Sequence, residues 1–371
     1  MNEYLDSNKK QFSGFSSLFY IDTKLFIPIV LITLIGLITI YSSSSGDLTL
    51  VFKQLTRIVI GMAVMIFLAQ INPDNLRLFA PMLYFITLLM LITVLFFGVG
   101  NTADRWLDLY FIRFQPSELM KIFIPLMLAF YYSDKPLPPN TRYIFIAIML
   151  VLVPVLLIMK QPDLGTALLI GMSGAIAILL AGMSLKFFIG STISFAALAP
   201  ILWVNMHQYQ KQRVLTFFNP ESDPLGSGYH LMQSKIALGS GGFFGKGLFN
   251  GTQSKLGFVP EHSTDFIFTA FGEEFGFLGV IILMALYLFI VLRGISISIK
   301  ATDNFGRILT GTLSLTIFLY VLVNVGMVIG FLPVVGAPLP FMSYGGTSMV
   351  TLFATFGIIM SVKSHQRILR K

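Results

Sequence analysis

Long apolar runs alternate with short polar links from one end of this chain to the other. Most runs approach the roughly 20 residues that an α-helix needs to cross a bilayer. The pattern predicts about ten spans, near residues 25–44, 54–71, 77–99, 116–133, 143–159, 166–182, 187–206, 266–292, 307–331 and 347–363. The in-out alternation of an outer-membrane barrel is absent. One connection breaks the rhythm: residues 207–265, between the seventh and eighth spans, form by far the longest loop. Loops of this length are usually functional or disordered, and the mixture of apolar and glycine-rich pieces here favours order. The expected fold is an all-α polytopic membrane protein, a single integral domain over residues 1–371, with one large extracytoplasmic loop between helices 7 and 8.

Composition agrees. The chain is 55% hydrophobic and 11% charged, against about 25% charged in soluble domains. Its mean hydropathy of +0.81 excludes an ordinary soluble globule. The net charge of +8 fits anionic lipid and basic cytoplasmic loops better than nucleic acid, which is not expected as a partner. Lys9, Lys10 and Lys24 precede or open the first run, and Lys363, Arg367, Arg370 and Lys371 close the chain. Both termini are therefore expected in the cytoplasm, in a multi-pass cytoplasmic (inner) membrane protein. The first run is too long for a signal-peptide core and is read as a retained helix. With no cysteine, disulfides and thiolate metal sites are excluded. His207, His230 and His262 show no metal-ligand spacing.

Among polar residues Asp265 stands out. In Ser263-Thr264-Asp265-Phe266-Ile267-Phe268 it closes the long loop and opens the eighth span. Two readings are open and compatible. It is an N-cap with Ser263 and Thr264 as companions, or a reactive acid at the positive end of a helix dipole beside a roomy polar loop. Glu273 and Glu274 are expected two turns deeper, about 12–14 Å below at 1.5 Å per residue. They point about 100° apart, so they should not share a site, and acids inside a span need partners or a function. Gln115-Pro116-Ser117-Glu118-Leu119-Met120-Lys121 opens the fourth span. Pro116 suits a first turn, Ser117 is a cap candidate, and Glu118 and Lys121 share a face as an ion pair or a cavity wall. In Lys160-Gln161-Pro162-Asp163-Leu164-Gly165-Thr166, Asp163 either caps the sixth span or joins Glu118 and Lys121 in a polar cluster. Asp104-Arg105-Trp106-Leu107-Asp108 and Tyr110 read as an interfacial segment on the membrane. The glycine run from Gly239 to Gly247 offers backbone N–H groups to a phosphate, with Lys235, Lys246 and Lys255 nearby, or is a flexible loop.

Taken together these stretches resemble the SEDS family (shape, elongation, division, sporulation). The likeness is carried by Asn219-Pro220-Glu221-Ser222-Asp223-Pro224-Leu225-Gly226, Gln233-Ser234-Lys235, Gly251-Thr252-Gln253-Ser254 and Thr264-Asp265-Phe266 in the loop. Gln115-Pro116-Ser117-Glu118, Gln161-Pro162-Asp163-Leu164-Gly165-Thr166 and Pro338-Leu339-Pro340-Phe341-Met342-Ser343-Tyr344-Gly345-Gly346 add to it. The Asp-Pro-Leu-Gly and Gly-Thr-Gln-Ser versions resemble the elongation branch more than the division branch.

The resemblance implies a ten-span peptidoglycan glycosyltransferase that polymerises lipid II outside the membrane. It implies a class B penicillin-binding protein as partner, with other membrane proteins of the elongation complex. The family's essential loop acid falls on Asp265, its first-loop tryptophan on Trp106, and its cavity-lining polar residues on Glu118, Lys121 and Asp163. Asp265 is the expected general base. The expected substrate contacts are Trp106, Arg105, Glu118, Lys121, Lys160, Asp163 and Lys246. Positive charge for the departing lipid diphosphate is expected from lysines and arginines of the outer loops, from a divalent cation (Mg or Mn), or from both. Two rivals come from other classes, a lipid II flippase and a non-catalytic scaffold for the penicillin-binding protein.

Overall fold

The computed structural model describes residues 20–99, 105–108, 113–197, 208–223, 226–255 and 263–365, with a few isolated positions between 200 and 206. Lys9, Lys10, Asp104, Tyr110, His207, His262, Arg367, Arg370 and Lys371 lie outside the described residues, as does the side chain of Lys255. Helices α1 (Thr23–Ser43), α2 (Leu48–Gln70), α3 (Pro73–Phe97), α4 (Pro116–Ser133), α5 (Thr141–Lys160), α6 (Leu164–Leu180) and α7 (Leu185–Ala197) correspond to the first seven expected spans. The long loop contains α8 (Gln208–Phe218), α9 (Ser227–Ser240) and α10 (Thr252–Lys255). Helices α11 (Ile267–Ile299), α12 (Asn304–Ile329) and α13 (Thr347–His365) correspond to the last three. Seven of these helices are long and apolar enough to cross a membrane: α1, α2, α3, α5, α11, α12 and α13. Of the other three expected spans, α4 carries Glu118 and Lys121, α6 is apolar but only 17 residues long, and α7 has 13 residues.

The tight links between spans also cap them. Asp22, Asn72 and Asp303 accept backbone N–H groups from Lys24 at 3.0 Å, Asp74 at 3.0 Å and Gly306 at 3.2 Å. Those donors have no intrahelical partner. In the bundle α12 and α13 are buried on most faces, whereas α2, α3 and α5 expose Phe67, Leu78, Phe96 and Phe145 around the rim. Lipid tails are as apolar as these side chains, so inter-helix cohesion comes from close packing. Gly61 illustrates it: a Cβ there would lie 2.4 Å from the ring of Phe353, so α2 and α13 could not meet as they do.

Asp22 ties one end of the bundle together. It pairs with Arg293 of α11 at 2.9 Å and Lys363 of α13 at 2.6 Å, while Ser364 Oγ donates to the Tyr20 carbonyl at 2.9 Å. The first and last described residues thus share one end, called here the termini end. The long loop lies at the other, the loop end.

Helix α11 differs from the expected eighth span. At 33 residues it would be about 50 Å long if straight, well beyond the roughly 30 Å of a hydrocarbon core. It breaks at Gly276, whose φ of 66° and ψ of −168° are not helical. The break strands carbonyls on one side and N–H groups on the other. The glycine run satisfies both: Lys246 and Gly247 donate to the carbonyls of Glu273 and Glu274 at 3.1 and 3.0 Å, and Phe277 and Leu278 donate to Gly242 and Phe243 at 3.0 and 3.1 Å. The run is therefore a backbone splint for a broken helix. The Lys246 and Gly247 N–H groups, part of the expected phosphate cradle, are thus engaged by the broken helix.

The two glutamates need correction as well. Ser42, at the loop end of α1, donates to Glu274 Oε1 at 2.5 Å. From Glu274 to Arg293 at the termini end is about 28 Å of helix. The crossing part of α11 thus begins at Gly276, and the glutamates sit at the loop-end border rather than two turns inside a span. They do occupy separate sites, as expected. Glu273 Oε1 accepts from Lys246 Nζ at 2.7 Å, from Thr252 N and Oγ1 at 2.8 and 3.0 Å, and from Gln253 N at 3.1 Å.

Candidate functional site

A cavity of about 1550 Å³ opens at the loop end, walled by α2, α4, the start of α6, the Ser263–Asp265 turn and the segment leading into α13. Its rim is a small hairpin, β1 (Leu107–Asp108) paired with β2 (Arg113–Phe114), plus a bridge between Val99 and Trp106. The sequence pattern suggested only an interfacial segment here. Two-residue strands are too short to show a period of two. Trp106 and Arg105 both line the cavity.

Asp265 lines it too, one residue ahead of the N-cap position. Helix α11 starts at Ile267, and its N-cap residue is Phe266, whose side chain makes no capping hydrogen bond. The turn is instead fixed through its carbonyls. Tyr344 N donates to Ser263 O at 2.8 Å, Ser343 Oγ to Thr264 O at 2.7 Å, and Asn324 Nδ2 to Asp265 O at 2.8 Å. Asn324 also donates to Ala337 O at 2.7 Å, and Ser343 Oγ accepts from Leu339 N at 2.7 Å. The turn and the 337–344 segment are thereby laced into one unit. The carboxylate rests against Gly336, where an added Cβ would come within 3.3 Å of Oδ2.

Opposite stands a chain of paired charges. Pro116 takes the first turn of α4 and Gln115 its cap position, so Ser117 does not cap the helix as expected. Glu118 and Lys121 face the same way and pair at 2.6 Å, with side chains only 8% and 12% exposed. Thr351 Oγ1 donates to Glu118 Oε2 at 3.2 Å, and the Lys121 ammonium lies 5.0 Å from the Tyr320 ring centroid. Both readings of this pair hold, since it is an ion pair and part of the cavity wall. Asp163 caps its helix as one reading expected, while its other contacts are to Gln115 and Arg105 rather than to Glu118 and Lys121. It caps α6 through Thr166 N at 3.2 Å, and it accepts from Gln115 Nε2 at 3.2 Å beside Arg105 Nη1 at 3.4 Å. Arg105 also donates to Pro162 O at 3.3 Å, tying the hairpin to the α5–α6 link.

The cavity thus gathers Asp265, Trp106, Arg105, Glu118, Lys121 and Asp163. Two expected contacts are not in its wall. Lys160 is exposed at the end of α5, and Lys246 is neutralised by Glu273 while splinting the α11 break. Sequence reasoning passed over Asn324 and Arg57, and met Ser343 only inside the 338–346 motif. Arg57 carried a signal, as a charge inside an apolar run. Asn324 carried none, because its importance is where its amide points. Among the described residues no three Asp, Glu or His side chains converge where they could hold a metal ion. Glu118 and Asp163 are already engaged by Lys121 and Arg105.

The cell cycle protein family FtsW/RodA/SpoVE matches residues 19–368. This chain is a member of that family. It is 44% identical over 354 residues to peptidoglycan glycosyltransferase MrdB of Escherichia coli (strain K12), covering 95% of this chain and 96% of the relative. It is 35% identical over 359 residues to a probable peptidoglycan glycosyltransferase FtsW of Trichlorobacter lovleyi, covering 92% and 93%. The higher identity to MrdB, a RodA protein, agrees with the elongation-branch motifs. A solved chain from work on "structural coordination of polymerization and crosslinking by a peptidoglycan synthase complex" superposes with a TM-score of 0.82 at 28% identity, over 93% of this chain and 98% of that one. The rod shape determining protein RodA of Thermus thermophilus superposes with a TM-score of 0.71 at 25% identity, over 93% and 97%.

Proposed function

We propose that this chain is a peptidoglycan glycosyltransferase that polymerises lipid II during cell elongation, with Asp265 as the general base. The observation that carries the proposal is a carboxylate on a backbone-locked turn, inside a cavity of about 1550 Å³ lined by cations. That volume exceeds the roughly 300–1,000 Å³ of single-ligand pockets, leaving room for two sugar headgroups. The acceptor's 4-hydroxyl oxygen attacks the donor's anomeric carbon, and its proton passes to Asp265. The anomeric C–O bond breaks with its electron pair going to the lipid diphosphate. An α-linked donor giving a β-linked strand requires inversion, which one base on the face opposite the leaving group provides, by analogy with inverting hydrolases. The diphosphate leaves as an anion, so the step needs positive charge rather than an acid.

The loop end faces outward from the cytoplasmic membrane in this reading, and the termini end faces the cytoplasm. A class B penicillin-binding protein crosslinks the product. The synthase complex whose chain this one resembles supports that partnership. The test uses purified protein with its class B partner and labelled lipid II. Asp265→Asn should reduce polymer formation by about 10²–10⁴-fold, the usual contribution of a general base, while folding and partner binding persist. Undiminished polymer from that variant overturns the assignment. Transbilayer movement of lipid II without polymer from the wild-type complex overturns the polymerase reading itself.

A further inference from the structure

Arg57 is the cavity cation that the reading above leaves without a task. It lies in α2, nine residues in from Leu48 at the loop end, about 13 Å along the helix. It lines the same cavity as Asp265. The other cations of that wall have acids: Lys121 pairs with Glu118, Arg105 with Asp163 and Arg113 with Asp108. No carboxylate among the described residues pairs with Arg57. Its guanidinium carbon lies 4.4 Å from the ring centroid of Tyr344, and its buried Nη1 has no hydrogen-bond partner. A guanidinium at membrane depth is costly and is retained where it faces a hydrated path or binds a ligand. Stacking on Tyr344 fixes the plane of the fork while leaving an N–H edge unused. Gly346, also in the cavity wall, has open space where a side chain would stand.

We infer that Arg57, held flat by Tyr344, is the cavity's diphosphate-binding cation, with its guanidinium donating to the phosphate oxygens of a lipid diphosphate. A planar fork matches phosphate oxygens bidentately, whereas the paired cations would have to leave their own carboxylates to do so. The inference rests on the glycosyltransferase reading and assigns one subsite within it. Donor and acceptor both carry a lipid diphosphate, so the test separates them.

Arg57→Gln and Arg57→Lys are compared with wild type, each with the class B partner, for kcat, for the KM of lipid II and for binding of a sugar-free polyprenyl diphosphate. Arg57→Gln should lose about 10²-fold in kcat, comparable to removal of one oxyanion donor, if the contact is to the departing diphosphate. A rise in KM alone places it on the acceptor's diphosphate. Affinity for polyprenyl diphosphate should fall in either case, and Arg57→Lys should recover only part of it. The wild-type protein gives a measurement independent of variant folding: polyprenyl diphosphate, but not polyprenol, should protect Arg57 from phenylglyoxal, read by mass spectrometry. Unchanged kcat, KM and diphosphate affinity in Arg57→Gln, or no protection of Arg57, overturns the inference. Absence of polymer from the wild-type complex overturns the parent reading instead.

Discussion

Asn324 gives a sharp test of how Asp265 is held. Its side chain is fully buried, with 0% exposure, and does not line the cavity. Its amide donates to the carbonyls of Asp265 and Ala337 at 2.8 and 2.7 Å. Asn324→Ala strands both carbonyls away from water, at about 1–3 kcal/mol each. Asn324 Oδ1 is itself buried without a partner, and removing it recovers part of that cost. The net loss is about 2–4 kcal/mol of stability. The larger effect falls on the reaction. With the stay on Asp265 gone, displacement of its carboxylate by about 1 Å costs about 10²-fold in rate. The expected signature is a kcat reduced by about 10²-fold with the KM for lipid II nearly unchanged, since Asn324 makes no cavity contact. Asn324→Asp, which aims acceptors at two carbonyls, should be worse than Asn324→Ala. Lipid II polymerisation on gels and thermal unfolding in detergent read both effects. An alanine variant with wild-type kcat and an unchanged midpoint would refute the positioning argument.

Two further outcomes follow from the same structure. Glu273→Ala removes the acceptor shared by Lys246, Thr252 and Gln253. It should cost about 3–5 kcal/mol, as for a broken buried ion pair, and open residues 241–255 to limited proteolysis; a resistant loop would contradict the splint. Burial pushes the Asp22 carboxyl up, but Lys363 and Arg293 outweigh it and hold the group below its ordinary 3.8. Its contribution is therefore complete above about pH 4 and fades as pH falls through 3.8 toward the folded value. Asp22→Asn should lower stability by about 2–3 kcal/mol, less than for fully buried pairs, because Arg293 and Lys363 remain 20% and 23% exposed. The variant should also flatten the acid limb of a stability-versus-pH curve measured by thermal unfolding. An unaltered acid limb would show that Asp22 is not the group responsible.

The sequence by itself determined the fold class and the outline of the site. Apolar run length located a helix at each expected span, because backbone polar groups in lipid must be satisfied within the segment. Local spacing was also enough for the Glu118–Lys121 pair, three residues apart on one face, and for the Asp163 cap, three residues before its partner Thr166 N. Relations between distant segments were out of reach. The break at Gly276 depends on a splint some thirty residues earlier, and without it the run reads as one straight span with Glu273 and Glu274 inside. The glycine run looked like an anion cradle because a nest and a splint use the same N–H groups. Lys246 looked available until Glu273 was placed against it. Asp265 was found by its neighbours in sequence, yet what holds it comes from α12 and the 337–344 segment, about 60–80 residues away. Hydrophobicity and cap spacing are properties of a window of sequence. Which buried donor meets which carbonyl is decided only when the helices pack.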